Sequence, residues 1–249
     1  MSYASVNGID LYYEVHGDAR AGARPLMLLH GGLQTIGLAF GPLLGPLSAG
    51  RQLIAVELQG HGHTADTDRP MTIDALAGDV IALLDQLGVA EADLFGYSLG
   101  GLVSYAVALR APSLTGRVIV ASADAHRPPG RESVPISQDR LPTMADYQAM
   151  QAAYAAVAPD PGQFEKSAAR TGAMVQEVPG MTAEQLAGMR SPVLLIFGDR
   201  DFWPLADVAE LYGLLPDAQL AVLPGTTHMG VTQQPERLLG LVTPFLDRR

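Results

Sequence analysis

Short, predominantly apolar runs recur along this chain: Pro25 to His30 (PLMLLH), Leu53 to Leu58 (LIAVEL), Asp93 to Tyr97 (DLFGY), Arg117 to Ala123 (RVIVASA) and Pro192 to Phe197 (PVLLIF). Runs of this kind, lacking polar alternation, suit strands covered on both faces. Helical patterns lie between them. Ile73, Leu76, Ala77, Val80, Ile81, Leu84 and Leu87 share one helical face, with Thr72 placed as N-cap and Gly88 as stop. Leu99 to Ala111 is a second helix, closed by Pro112. Strand and helix in alternation predict an α/β fold with a parallel sheet and right-handed crossovers. The start departs from this: Val6 to Val15 straddles Asn7-Gly8, a turn pair that accepts φ > 0, and reads as an antiparallel edge hairpin.

The alternation breaks from Asp124 to about Arg190, where prolines crowd Arg127 to Pro142 and two helical pieces follow, around Ala145 to Val157 and Gln163 to Val178. It resumes with Pro192 to Phe197, Leu205 to Leu215, Gln219 to Leu223 and Pro235 to Leu246. We therefore expect residues 1–123 and 191–249 to form a core, with 124–190 inserted between two strands of one sheet as a cap. A chain of 249 residues suits such a single domain.

Acidic residues outnumber Lys plus Arg by 26 to 16, with no long block of like charge, which argues against a nucleic-acid surface. With no cysteine, a thiolate nucleophile, a disulfide framework and a Cys-based zinc site are excluded. MSYASVNGID lacks a basic region followed by an apolar stretch, and no eighteen-residue apolar window occurs, so the expectation is a cytoplasmic protein that does not enter a membrane.

Between the strand Asp93 to Tyr97 and the helix from Leu99 stands Gly96-Tyr97-Ser98-Leu99-Gly100. A serine in Gly-x-Ser-x-Gly at a strand-to-helix turn is held exposed on a strained backbone, and the flanking glycines let neighbouring chain pass closely. Its hydroxyl is a poor nucleophile unless a base takes the proton and a carboxylate holds that base in one tautomer. His228 lies downstream of Ser98 and after the last strand; His126 is also downstream but opens the insertion. The N–H of Leu99, next after the serine, is placed by geometry as one oxyanion donor.

On these residues the chain resembles the α/β-hydrolase family over nearly its whole length. His30-Gly31-Gly32 looks like that family's oxyanion loop and Gly60-His61-Gly62 like its second glycine-rich turn. Glu57 and Gln59 depart from it, since the family often has aspartate and arginine there. The resemblance implies the α/β-hydrolase fold, a mostly parallel eight-stranded sheet flanked by helices with a helical cap insertion, and the chain order serine, acid, histidine. Within Gly198-Asp199-Arg200-Asp201 it favours Asp201 as the acid, with Asp199 organising the turn; Asp199 and Asp124 stay as alternatives. It supplies Gly32, then Leu33, as the second oxyanion donor.

The remaining histidines read as structural. His30 holds the oxyanion loop, His61 and His63 lack a third metal ligand at suitable spacing, and His16 is a surface turn residue. For the substrate pocket the candidates are His30, His126, Tyr147 and Trp203. The insertion also carries Met144, Met150, Tyr154, Phe164, Met174, Met181 and Met189, which either cover substrate or pack the cap.

The expected activity is that of a serine hydrolase cleaving a small carboxylic ester or lactone through an acyl-enzyme on Ser98, with neither metal nor organic cofactor. The same triad also serves amidases, C–C bond hydrolases and cofactor-free perhydrolases or haloperoxidases. A ligand-binding receptor that retains the triad is the alternative of a different class. Epoxide hydrolases and haloalkane dehalogenases are disfavoured because they carry aspartate where this chain has Ser98.

Overall fold

The computed structural model describes residues 2–20, 22–128 and 136–248. Among them run β1 (Ser2–Val6), β2 (Ile9–His16), β3 (Leu26–Leu29), β4 (Leu53–Val56), β5 (Ala92–Tyr97), β6 (Thr115–Ala121), β7 (Val193–Arg200) and β8 (Ala218–Thr227). These form one eight-stranded sheet in the order β1-β2-β4-β3-β5-β6-β7-β8. β2 pairs antiparallel with β1 and with β4, and every other pairing is parallel. Asn7 and Gly8 both take positive φ, so the first hairpin closes as their residue types allow.

Residue parity sorts each strand between the two faces. Met27, Leu29, Ile54 and Val56 join one core cluster, whereas Leu26, Leu28, Leu53 and Ala55 join the other. The first face is covered by α2 (Ile73–Gln86), α3 (Leu99–Arg110) and α7 (Leu205–Leu214), the second by α1 (Ile36–Ser48) and α8 (Pro235–Leu246). α1 is a helix that pattern reading missed, because IGLAFGPLLGPLS holds Pro42, Pro46 and three glycines. Ile36, Ala39, Phe40, Leu43 and Leu47 nonetheless make a buried helical stripe, Thr35 caps it by accepting from the Leu38 N–H, and packing overrides propensity.

After β3 the chain steps to β4 on one side, then returns across to β5 on the other. This reversal opens a crevice at the carboxyl ends of β3 and β5, the usual place for a ligand in such sheets. Between the neighbouring strands β6 and β7 come α4 (Met144–Val157), α5 (Phe164–Glu177) and α6 (Ala183–Ala187). Arg170 on α5 anchors this segment to the core through Asp66 at 2.5 Å and the carbonyls of Thr67 and Arg69 at 2.6 and 2.7 Å. No helix among the described residues is long and apolar enough to cross a membrane.

Two close approaches hold the crevice in shape. A Cβ on Gly100 would overlap the Leu29 carbonyl, so α3 begins in direct contact with the end of β3, and the Gly100 N–H donates to the His30 carbonyl at 3.0 Å. His30 is fully buried: Nδ1–H donates to the Gly31 carbonyl at 2.7 Å and Nε2 accepts the Leu58 N–H at 3.0 Å. Because Nε2 must accept, the ring has to be neutral, and burial, with His61 beside it, pushes its pKa down to about 3.

Glu57 and Gln59 are accommodated locally. The Glu57 carboxylate accepts from the Ile36 N–H at 3.0 Å and from the N–H and Nδ1 of His63 at 2.6 and 2.8 Å, in space left by Gly62. Gln59 accepts from Arg69, which in turn pairs with Asp79.

Two outcomes follow from these contacts. Gly100→Ala should lose about 3 kcal/mol or more, read as a fall in Tm of roughly 6 °C or more. His30 ionises near 6.5 when unfolded and near 3 when folded, so the unfolded chain binds the extra proton in between. Its contribution is complete above pH 6.5 and declines by about 1.4 kcal/mol per unit as pH falls toward 3. Urea midpoints of the parent chain and His30→Gln across that range should differ in slope by about one proton; equal slopes would contradict this account.

Candidate active site

Ser98 closes β5 and opens α3 with φ 51° and ψ −113°, a conformation that costs a non-glycine residue on the order of 1–3 kcal/mol. Hydrogen bonds hold the strain in place: Ser98 N–H to the Ala121 carbonyl at 2.8 Å, and Gly101 N–H to the Ser98 carbonyl at 2.9 Å. The Leu99 N–H stands at the head of α3, where the helix dipole favours negative charge.

His228 follows β8 directly. Its Nε2 lies 3.0 Å from Ser98 Oγ and its Nδ1 2.9 Å from Asp201 Oδ1. With a carboxylate at Nδ1 the proton sits there, and Nε2 presents its lone pair to the serine hydroxyl. Asp201 is fully buried just beyond the end of β7. The other two carboxylates go elsewhere: Asp199 accepts the Thr226 N–H at 3.1 Å, and Asp124 accepts the His126 N–H at 2.8 Å.

Two aromatic residues that sequence reading left out hold the imidazole. Phe202 stacks on His228 at 4.0 Å between ring centres, and the Tyr97 hydroxyl donates to the His228 carbonyl at 3.0 Å. Burial raises the Tyr97 pKa well above its ordinary value, so it remains a donor. Their only signal in sequence is adjacency, Phe202 to Asp201 and Tyr97 to Ser98.

Ser98 opens into a cavity of about 740 Å³, lined among others by Gly32, Leu99, Leu102, His126, Arg127 and Trp203. Gly32 and Leu99 thus face the same space as the serine. Leu33, at φ 61°, packs instead against the cluster of Met150, Tyr154, Phe164 and Met229. Trp203 is fixed by donating from Nε1 to the Ser122 carbonyl at 3.0 Å, and the Arg127 guanidinium lies 5.7 Å from its ring centre. His126 reaches Glu210 at 3.2 Å and the Met181 carbonyl at 3.1 Å.

Two expected pocket residues are corrected. His30 sits beneath the loop with both ring nitrogens bonded to backbone, and does not line the cavity. Tyr147 turns away: its ring meets Phe164 edge-on and its hydroxyl donates to Glu165 at 2.9 Å, because α4 packs against α5 there. His16 is the last residue of β2, paired with Glu14, in place of the expected turn. His61 donates to the Gln59 carbonyl and His63 pairs with Glu57; no group of three His, Cys, Asp or Glu among the described residues is arranged to hold a metal.

The chain is 26% identical over 259 residues to 2-(acetamidomethylene)succinate hydrolase of Mesorhizobium japonicum, covering 91% of this chain and 89% of that one. It is 33% identical over 115 residues to a putative carbamate hydrolase of Rhizobium rhizogenes, covering 45% of this chain and 43% of the relative. For seven of the curated relatives the matched stretch spans less than half of their own length, 30% to 45%. Among solved structures, the enol-lactonase of Burkholderia xenovorans shares the fold with a TM-score of 0.79 at 23% identity, covering 99% of this chain and 100% of that one. The alpha/beta hydrolase family model matches residues 26–241, and with most of its length so accounted for this chain belongs to the alpha/beta hydrolase family.

Proposed function

We propose that the protein is a serine hydrolase in which Ser98, His228 and Asp201 act as a triad on a small carboxylic ester or lactone. The observation that carries this reading is the contact chain Ser98 Oγ–His228 Nε2 at 3.0 Å and His228 Nδ1–Asp201 Oδ1 at 2.9 Å, opening into the 740 Å³ cavity. Ser98 Oγ attacks the acyl carbon as its proton passes to Nε2, and the carbonyl π electrons move onto oxygen. The N–H groups of Leu99 and Gly32 receive that oxyanion, supported by the head of α3. On collapse the C–O bond to the alcohol breaks, and His228 returns the proton to the departing oxygen. Water then attacks the acyl-enzyme by the same route and frees Ser98. Asp201 holds the imidazole and offsets the charge it carries midway.

The helices between β6 and β7 serve as a cap over the cavity. A carboxylic ester or lactone suits the lining better than a polyanion: Arg127 is accompanied there by Asp124 and Asp207, and the described lining residues hold no basic cluster to grip phosphate. The substrate is a small molecule, and the reading requires neither metal nor organic cofactor.

Two measurements test the assignment. Ser98→Ala should abolish steady turnover of short-chain p-nitrophenyl esters and prevent fluorophosphonate labelling, and labelling that persists would refute it. Asp201→Asn should lower kcat by about 10⁴, as expected when the wrong tautomer is held. Asp199→Asn and Asp124→Asn should each cost far less; a larger loss at either would reassign the acid.

A further inference from the structure

A second cavity, of about 540 Å³, lies beyond Leu102, and Leu102 lines both it and the Ser98 cavity. Leu102 is four residues past Ser98 and so stands one turn along the same face of α3. The face continues: Leu102, Ala106 and Leu109 all line the second cavity, a stripe of about 10 Å at the helical rise. Met174 and Met181 contribute to the facing wall, unbranched side chains that adapt to what they touch. The charged lining residues, Asp74, Arg110 and Glu177, are exposed and mark the solvent end. The interior end, at Leu102, is apolar and leads toward Ser98.

We infer that the two cavities are one acyl-binding channel, with Leu102 as its movable partition, and that the substrate is an ester of a long unbranched fatty acid. This rests on the ester-cleaving reading above, of whose two substrate classes it selects the ester and whose small acyl group it replaces with a long one. The carboxyl carbon sits at Ser98, the first methylenes fill the nearer cavity, and the chain passes Leu102 to lie along the α3 stripe. The second cavity has no buried charge among its lining residues and so suits an alkyl chain, and its apolar interior end abutting the Ser98 cavity makes the chain's far segment the occupant. Ala106 and Leu109 line the second cavity and not the first, so they read its use separately from the chemistry.

The test is a series of p-nitrophenyl esters from butanoate to dodecanoate, with the leaving group constant. kcat/KM should rise with chain length, by at most roughly fourfold per methylene buried. Ala106→Phe should lower the dodecanoate-to-butanoate ratio by roughly tenfold or more, and Leu102→Ala should raise it. If Ala106→Phe does not fold, Leu109→Trp fills the same space from the partly exposed end of the helix. A ratio that none of these variants moves overturns the channel and leaves the hydrolase reading standing. A length dependence found in the alcohol portion instead of the acyl portion likewise overturns it. Should no ester be cleaved, the hydrolase reading fails by itself, and the channel is judged by binding. Trp203, the single tryptophan, lines the Ser98 cavity and reports dodecanoate entering Ser98→Ala protein by its fluorescence. Saturable quenching that Ala106→Phe removes supports the channel, and no quenching refutes it.

Discussion

The contact on which the rest of the structure depends is that of α3 with the end of β3 at Gly100. There the backbone of a helix touches the backbone of a strand with no side chain between, and the Gly100 N–H bonds to the His30 carbonyl. Two consequences follow from one hydrogen bond. The Ser98 turn is pinned in a conformation that a free chain would leave, and the loop after β3 is held beside the helix head, so that Leu99 and Gly32 face one cavity. A side chain at position 100 would part these elements and loosen both.

Beneath that contact, two buried polar side chains are tied to backbone. His30 reads the tautomer it needs from the Gly31 carbonyl and Leu58 N–H, and Glu57 gathers the N–H groups of Ile36 and His63. Both tie the loop after β3 to the loop after β4, so the crevice wall is stiff before any ligand arrives. On the other wall His228 is held through four separate contacts: Asp201 and Ser98 at its nitrogens, Phe202 on its face and Tyr97 at its carbonyl. Such over-determination suits a group that must present one nitrogen to one oxygen.

The segment between β6 and β7 divides its work. α4 and the start of α5 pack through Met150, Tyr154 and Phe164 onto one another and onto Met229 and Leu33, with Arg170 latching the segment to the core. The end of α5 faces the cavities, through Val175 and Gln176 on the Ser98 side and Met174 on the other. Of the methionines that the sequence offered either as substrate cover or as packing, Met150 and Met189 are packing residues, Met144 is exposed, and Met174 and Met181 line the second cavity.

The sequence by itself determined the sheet, the order of most elements and the turn at Ser98, because each is written locally: apolar runs, helical periodicity and glycines at a strand-to-helix junction carry their meaning within a dozen residues. It failed at α1, where proline and glycine argue against a helix and only burial against the sheet reverses them. Local pattern left Asp124, Asp199 and Asp201 open and the family resemblance favoured Asp201; tertiary structure brings that one to His228, through where β6, β7 and β8 place their ends. It likewise turned Tyr147 and His30 away from the cavity, brought Phe202 and Leu102 to it, and set Tyr97 against the His228 carbonyl. The direction in which a side chain points depends on neighbours distant in the chain, and spacing along one strand or helix does not contain that information.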